Sequence, residues 1–265
     1  AAAKDELINV TAELLQSLDG AMITGCDLNT SLEDMERLTE LTPHVLAAVG
    51  SPVDASAATA HGTLGAVEAV LEAELKDAKP GRALVHGCGA VGGTVARTLV
   101  EHGWTVFTVD LSRERAGFPG ATPLPQGCPW WELKLDLLLP CSISGLINAE
   151  MASALRVTSV VPAANAPFQS PQLADALRQR GIRVLPDPLV NAGAVIADSI
   201  ERFSPDAWKD AGAKDVYAFV REEVRRRATD YLNQRDQGLS VGAALNEVAA
   251  APATDPIGLS FGEAA

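Results

Sequence analysis

Short apolar runs alternate with segments of helical spacing along most of this chain. The runs predict buried strands at 83–85, 105–109, 135–140, 157–161 and 182–185. The segments between them predict helices, among them 147–154 and 171–180. Strands that alternate with helices indicate an α/β fold with a doubly wound, parallel sheet of the Rossmann type.

The two ends of the chain have other patterns. Apolar residues at helical spacing predict helices at 7–18, 31–41 and 55–75, with a short strand at 21–24. Thr30 and Glu33 have the spacing of a capping box before the second of these helices. Near the C-terminus, 215–236 predicts a long charged helix with one apolar stripe, and 239–249 predicts a shorter one.

The residue pattern of one stretch, 82–110, indicates a ligand-binding site. It reads as strand, glycine turn, helix and second strand, and it ends in Asp110. Gly87 allows the turn, Gly89 lets a pyrophosphate approach the backbone, and Gly92 lets the helix pack closely. The helix N-terminus offers N–H groups to the phosphates, and Asp110 can accept the ribose hydroxyls. The predicted cofactor-binding residues here are Gly87, Cys88, Gly89, Ala90, Val91, Gly92, Asp110 and Leu111.

Asp110 also indicates which dinucleotide is bound. A carboxylate repels a 2′-phosphate, so NAD is favoured over NADP, although Arg113 and Arg115 follow closely and could soften that preference. A glycine-rich turn that only packs, and binds nothing, remains the alternative.

Composition and charge exclude several classes of protein. The net charge of −13 and the pI of 4.7 argue against nucleic-acid binding, which needs basic patches. No apolar run reaches the ~20 residues of a membrane helix, and no signal-peptide pattern is present, so no membrane association is expected. Cys26, Cys88, Cys128 and Cys141 are far apart, which predicts neither a metal site nor a disulfide framework and favours the cytoplasm.

Four sequence blocks together resemble the glutamate/leucine/phenylalanine/valine dehydrogenase family, closest to its leucine/phenylalanine branch. They are T-G-C-D-L-N-T-S-L-E-D-M at 24–35, A-T-A-H-G-T at 58–63, the G-C-G-A-V-G turn, and a late set. That late set comprises L-L-L-P-C-S, A-A-N-A-P at 163–167 and P-D-P-L-V-N-A-G-A-V-I at 186–196. Members oxidatively deaminate an L-amino acid to a 2-oxo acid and ammonia, with hydride transfer to a nicotinamide cofactor.

The resemblance implies roles for individual residues. Asp27 matches a carboxylate that helps a catalytic lysine to move protons, and Thr59 matches a threonine that contacts the nicotinamide amide. Asn165 and Asn191 match positions that line the nicotinamide and substrate cleft, with Asn191 on the substrate. Pro140, Cys141 and Ser142 match the loop near the nicotinamide ribose. The implied domains are a remnant of the catalytic domain at 1–50, a NAD-binding domain at 51–212, C-terminal helices at 213–250 and a flexible tail at 251–265.

The family's catalytic lysines have no counterpart in the sequence shown. Before Asp27 the only lysine is Lys4, which has no glycines around it. Three interpretations stay open. The chain is an amino-acid dehydrogenase whose N-terminal part lies outside this sequence, or it is a shortened relative that binds a dinucleotide or a partner protein in a regulatory or assembly role. In the third interpretation it is a shortened relative with a changed reaction, in which Asp27 or a histidine acts as the base.

His61, on the same predicted helix as Thr59, is the histidine of interest, and a packing role is favoured for it. The apolar stripe at 216–231 is expected to pack on a neighbouring domain or subunit, and it would be exposed without such a partner, which predicts a homodimer or larger homo-oligomer.

Overall fold

The computed structural model describes residues 2–26, 30–46, 49–74 and 80–251. They divide into two compact units, one from the described residues among 1–55 and 195–216, the other from those among 56–194 and 217–254. The predicted domains have other bounds than these two units and stay a prediction. Residues 195–212, expected in the cofactor domain, belong to the first unit. Residues 217–250, expected as a separate region, belong to the second. The predicted tail lies outside the described residues, apart from residue 251.

Helices and strands alternate through the second unit, as predicted. The strands are β1 Arg82–His86, β2 Thr105–Val109, β3 Ala121–Pro123, β4 Lys134–Pro140, β5 Arg156–Val160 and β6 Arg183–Val184. The helices of the described chain are α1 Ala2–Ser17, α2 Leu32–Leu41, α3 Ala55–Glu74, α4 Ala90–Glu101, α5 Arg113–Ala116, α6 Ala149–Ala154, α7 Pro171–Gln179, α8 Asp187–Val190, α9 Gly193–Phe203, α10 Pro205–Asp210, α11 Ala213–Asp236 and α12 Val241–Ala250.

All six strands form one parallel sheet in the order β3-β2-β1-β4-β5-β6. This confirms the predicted doubly wound fold. The strand order reverses direction between β1 and β4, which creates the switch point where such sheets bind ligands. Register brings the ends of three strands together there, because His86 of β1 pairs with Val109 of β2 and with Pro140 of β4.

The predicted loop after β2 contains two short elements, α5 and β3. Proline and glycine dominate this segment, so its sequence has the composition of a loop. β3 is the edge strand and ends in Pro123, a position where the missing N–H costs no internal ladder bond.

The glycines of α3 pack against another helix, α11. A Cβ on Gly65 would lie 2.1 Å from the carbonyl oxygen of Arg221 in α11. The same two helices are joined by an ion pair between Arg221 and Glu68, at 2.6 Å.

The apolar stripe of α11 is buried within the chain. Val220, Val224 and Ala228 are fully buried, and Tyr231 is 2% exposed. The reason given above for an oligomer is therefore wrong, because this stripe needs no second subunit to cover it.

The first unit packs α1 against α2 through Ile8, Leu15, Met35 and Leu38. The cap of α2 is Ser31, one residue later than predicted, and its box partner is Asp34. The predicted strand at 21–24 is reduced to an isolated bridge between Thr24 and Val45.

Leu7, Val10 and Leu14 of α1 are more than half exposed. The buried side chains of this helix are Ile8, Ala12 and Leu15.

Candidate functional site

A tight glycine turn joins the end of β1 to α4. Gly87 has a φ of +92°, a conformation that strains any L side chain. A Cβ on Gly87 would also lie 2.7 Å from the Cα of Ser142. The Gly87 N–H donates to the Val109 carbonyl over 2.7 Å, which ties the turn to the end of β2.

Gly92 and Gly89 serve different purposes in this turn. A Cβ on Gly92 would lie 1.9 Å from the carbonyl oxygen of Gly87 and 2.8 Å from the Cβ of Cys141, so close packing requires glycine there. Gly89 is the N-cap of α4, and a Cβ on it would meet nothing within 4 Å. The fold therefore does not need glycine at 89, whereas a pyrophosphate approaching this backbone would.

The first helical residues of α4 are Ala90 and Val91, both predicted as cofactor-binding. N–H groups in the first turn of an α-helix have no partner within the helix, and the helix dipole is positive at this end. The end of α4 at Gly89 is thus suited to an anionic phosphate.

Asp110 follows β2 and is held by backbone donors. Its Oδ2 accepts from the Cys88 N–H at 2.7 Å, and its Oδ1 accepts from the Ser112 N–H at 2.8 Å. Burial would raise the pKa of this carboxyl, but these two hydrogen bonds, with Arg115 nearby, lower the pKa below its ordinary value. Asp110 is therefore ionised at neutral pH, and its oxygens keep lone pairs for further donors.

A cavity of about 650 Å³ opens at the carboxyl ends of β1, β2 and β4. Its walls are largely apolar, with Asp110 and Arg115 as charged groups. A cavity of this size at the switch point is the expected place for a small ligand in such a sheet. The residues that line it are His86, Gly87, Gly89, Val109, Asp110, Leu111, Arg115, Pro125, Gln126, Gly127, Cys128, Trp130, Trp131, Cys141, Ser142 and Ile143.

His86, which was not among the predicted site residues, lines this cavity. Its Nδ1 is 2.8 Å from the Ser142 Oγ, and its ring lies 5.2 Å from that of Trp130. Burial lowers the pKa of His86, against the opposing effect of Asp110, so the ring is neutral at pH 7. His86 is the last residue of β1, and this position beside the glycine turn is the signal that sequence reasoning overlooked.

Trp130 and Trp131 also line the cavity and were not predicted. They belong to a short 3₁₀ helix, Trp130–Glu132, which lies before β4. Nothing in the local sequence places this segment against the ends of β1 and β2, because the contact depends on how the chain crosses the sheet.

The predicted cysteines are packed close to the turn. Burial raises the pKa of Cys88 to about 11, and burial together with the nearby Cys88 raises that of Cys141 to about 12. Both are therefore neutral thiols at physiological pH and are poor nucleophiles.

Leu111 is 91% exposed, as the first residue after Asp110. It contributes a backbone contact, since its carbonyl accepts from the Gln126 side chain at 3.0 Å.

Asn165 and Asn191, the two amides that the resemblance assigns to the cleft, contact each other. The Nδ2 of Asn191 donates to the Oδ1 of Asn165 at 2.6 Å and to the Ala163 carbonyl at 3.3 Å. The Ala164 N–H donates to the Pro140 carbonyl at 2.9 Å, which joins this loop to the end of β4. The pair of amides therefore lies next to the edge of the sheet that carries the cavity.

Thr59 is brought to the same region by close packing of α3 on the start of α9. A Cβ on Gly193, two residues after Asn191, would lie 2.7 Å from the Cα of Thr59. His61 stacks on Tyr217, with ring centroids 4.9 Å apart, which supports the packing role over that of a base. Burial, with the positive charge of Arg221, lowers the pKa of His61.

Asp27, the predicted catalytic carboxylate, lies outside the described residues. Within the described ranges, no group of three or more histidine, cysteine or carboxylate side chains is placed to hold a metal ion. No helix in those ranges is long and apolar enough to cross a membrane.

The chain is similar to amino-acid dehydrogenases. The family model described as Glutamate/Leucine/Phenylalanine/Valine dehydrogenase matches residues 111–252. The phenylalanine dehydrogenase of Lysinibacillus sphaericus is 26% identical over 238 residues, which are 84% of this chain and 62% of that protein. The leucine dehydrogenase of Bacillus subtilis is 26% identical over 213 residues, covering 77% of this chain and 58% of the relative.

Solved structures show the same fold. The L-tryptophan dehydrogenase of Nostoc punctiforme superposes with a TM-score of 0.75 at 23% identity, covering 92% of this chain and 71% of that one. A hetero-hexameric glutamate dehydrogenase from Thermus thermophilus has a TM-score of 0.72 at 20% identity, covering 92% and 67%. The chain spans about three fifths of the length of the curated relatives named above.

Proposed function

The chain belongs to the Glutamate/Leucine/Phenylalanine/Valine dehydrogenase family, a family of nicotinamide-dinucleotide-dependent enzymes, and from that premise we propose that it binds NAD and acts in the oxidative deamination of an L-amino acid. The products are a 2-oxo acid and ammonia. The observation that carries the proposal is the glycine turn with an ionised Asp110 beside it, both at the mouth of one cavity at the switch point.

The proposed cofactor contacts follow from the geometry of the turn. The pyrophosphate approaches Gly89 and the N–H groups of Ala90 and Val91, because a Cβ is absent at 89 and the helix end is positive. The adenosine ribose lies at Asp110, whose carboxylate accepts its hydroxyls. The nicotinamide half extends toward Ser142 and Asn165, at the ends of β4 and β5.

NAD is proposed over NADP because of the state of Asp110. Its lowered pKa keeps the carboxylate charged at neutral pH, and a charged carboxylate repels the 2′-phosphate of NADP. Arg115 lines the same cavity and would attract that phosphate. The repulsion by Asp110 outweighs the attraction by Arg115, because two backbone hydrogen bonds hold the Asp110 carboxylate in place at the end of β2.

The amide pair is proposed to orient the reactants. The bound nicotinamide supplies the hydride acceptor, and the protein must hold the amino acid against it. Both side-chain N–H donors of Asn191 are used, by Asn165 and by the Ala163 carbonyl, so the Asn191 Oδ1 and the Asn165 Nδ2 are the atoms that can contact the substrate and the nicotinamide ribose. Thr59, packed beside the start of α9, is proposed to contact the nicotinamide amide, and Asp27 to take part in the proton steps.

A cofactor-reduction assay tests this function. The protein is incubated with NAD and each of the twenty amino acids, and absorbance of the reduced cofactor is followed. Turnover on aliphatic or aromatic amino acids, lost in Asn191→Ala, supports the dehydrogenase. NADH binding without turnover on any amino acid contradicts it and supports the alternative, a relative that binds a dinucleotide or a partner protein in a regulatory or assembly role.

Two further properties are proposed. The exposed apolar side chains of Leu7, Val10 and Leu14 on α1 support a homodimer or larger homo-oligomer. Light scattering that gives the mass of one chain would contradict this. All four cysteines are free, which supports a reducing location such as the cytoplasm. Fractionation of the source cells would test that location.

A further inference from the structure

Ala166 has a strained backbone conformation in the loop that follows β5. Its φ is +43°, in the left-handed region, where the Cβ of an L-residue crowds the backbone. It also precedes Pro167, and a residue before proline ordinarily adopts an extended backbone. Such strain persists only where neighbouring groups hold the residue in place, and it is common at functional sites.

The peptide group between Asn165 and Ala166 is held at both of its polar atoms. The Ala166 N–H donates to the Asp187 Oδ2 over 2.8 Å. On the other side, the Ser144 hydroxyl donates to the Asn165 carbonyl, also over 2.8 Å. A peptide group is planar and includes the Cα of the residue before it. The two hydrogen bonds therefore fix the backbone at Asn165, and with it the direction of the Asn165 side chain.

Asp187 contacts the backbone next to both members of the amide pair. It is the first residue of α8, and its carbonyl accepts from the Asn191 N–H at 3.0 Å. Its side chain holds Ala166, the neighbour of Asn165. The Asn191 Nδ2 lies 2.6 Å from the Asn165 Oδ1. One aspartate thus links the two loops that carry the two amides.

The C-terminal side of the loop is fixed by contacts that do not involve Asp187. The Gly145 N–H donates to the Ala166 carbonyl at 2.8 Å. The Ile147 N–H donates to the carbonyl of Pro167 at 2.9 Å, and Pro167 is buried. Loss of the Asp187 carboxylate should therefore free the peptide group before Ala166 without unfolding the loop.

We propose that Asp187 is a positioning residue of the cleft. Its carboxylate holds Ala166 in the left-handed conformation, so that the Asn165 amide meets Asn191 and turns its Nδ2 toward the reactants. This role rests on the proposed dehydrogenase function, which assigns the amide pair to the substrate and the nicotinamide ribose. Asp187 acts through Asn165 and does not itself contact the reactants.

Substitution of Asp187, followed by measurement of amino-acid oxidation, tests this role. Asp187→Ala removes the acceptor, and kcat should fall roughly tenfold or more, as expected for a lost hydrogen bond to a charged group. The NADH dissociation constant should change far less, because the glycine turn and Asp110 are untouched. Asp187→Asn keeps an acceptor oxygen and should lose much less kcat than Asp187→Ala.

A second substitution separates positioning from a general loss of stability. Glycine adopts a positive φ without strain, so Ala166→Gly in the Asp187→Ala background should recover most of the lost kcat. Should Asp187→Ala fail to fold, the same comparison is made with Asp187→Asn, with and without Ala166→Gly. Asp206→Ala is the control and should have the kcat of the wild type, because Asp206 also lies in the first turn of a short helix and its side chain is fully exposed.

NMR gives a readout that does not require turnover. In Asp187→Ala the Ala166 N–H should exchange faster with solvent, and the side-chain amide signals of Asn165 and Asn191 should shift. In Asp206→Ala these signals should match those of the wild type. If the wild type oxidises no amino acid while these changes occur, the proposed function fails and the control of Asn165 by Asp187 stands.

Two results would overturn the positioning role. Unchanged Asn165 signals in Asp187→Ala would show that the carboxylate does not set the direction of this amide. Equal losses of kcat in Asp187→Asn and Asp187→Ala, with no recovery by Ala166→Gly, would instead assign the carboxylate a direct contact with the reactants.

Discussion

Gly89 and Gly92 lie three residues apart in one turn, yet replacing each by alanine should damage a different property. A Cβ at 89 meets nothing within 4 Å, whereas a Cβ at 92 would lie 1.9 Å from a backbone oxygen. Gly89→Ala should therefore leave the fold intact and impair dinucleotide binding. Gly92→Ala should impair the fold itself.

The stability effects can be estimated from the two environments. At 89, alanine is a poorer N-cap residue than glycine, which lowers the free energy of unfolding, but it also restricts the unfolded chain, which raises that free energy. The net change is within about 1 kcal/mol. At 92, the overlap with the Gly87 carbonyl can be relieved only by moving backbone, which costs about 3 kcal/mol. For a chain of this size that lowers Tm by roughly 6–12 °C.

Dinucleotide binding should be weakened most directly by the substitution at 89, which affects stability least. A methyl group at 89 would hold the pyrophosphate away from the helix N-terminus and weaken hydrogen bonds to a charged group. Such bonds contribute about 1.5–3 kcal/mol, which corresponds to a roughly 10- to 150-fold loss of affinity. Calorimetric titration with NADH measures this loss, and thermal unfolding measures stability on the same samples.

The reasoning would be refuted by either of two results. If Gly89→Ala binds NADH as tightly as the wild type, the pyrophosphate does not approach this backbone. If Gly92→Ala is as stable as Gly89→Ala, the tight contact with the Gly87 carbonyl does not constrain the fold.

Three further predictions concern other parts of the molecule. Asp110→Asn should lower the ratio of the NADPH dissociation constant to the NADH dissociation constant roughly tenfold, as measured by titration with each dinucleotide. An unchanged ratio would contradict the role of this carboxylate. Gly65→Ala should lower Tm, because its Cβ would meet the Arg221 carbonyl at 2.1 Å, while the open Gly242→Ala should not. Hydrogen bonding to Lys4 and then to Ser31 lowers the pKa of Asp34 to about 2, so its contribution to stability is present above about pH 4 and lost as pH falls toward 2. The Tm difference between wild type and Asp34→Asn should accordingly shrink over that window; a constant difference would speak against the ion pair.

Most of the sheet was predictable because the middles of β1 and β4 are buried apolar runs, whereas the mostly exposed β3 was missed. Apolar runs such as those around Leu84 and Leu138 stand out against the helical segments between them. Asp110 and the glycines were predictable because each lies at a fixed number of residues from the end of a strand or the start of a helix. The assignment of Asn165 and Asn191 to one cleft came from the family resemblance, because 26 positions separate them along the chain and no local pattern links them.

The parts that were missed depend on tertiary packing. The glycines of α3 had the right composition for close packing, but their sequence does not say that the partner is α11. For the same reason, the sequence does not say whether the stripe of α11 packs on a neighbouring domain or on a second subunit. Trp130 enters the cavity because the chain crosses from β3 to β4 over the sheet, which no local pattern records.

The most direct test of the central claim is titration of the wild-type protein with NADH, followed by tryptophan fluorescence, because Trp130 and Trp131 line the cavity. We expect saturable binding at one site per chain, with quenching of this fluorescence, and weaker binding of NADPH. No saturable change with either dinucleotide, confirmed by the absence of heat in calorimetry, would contradict a dinucleotide site at this turn.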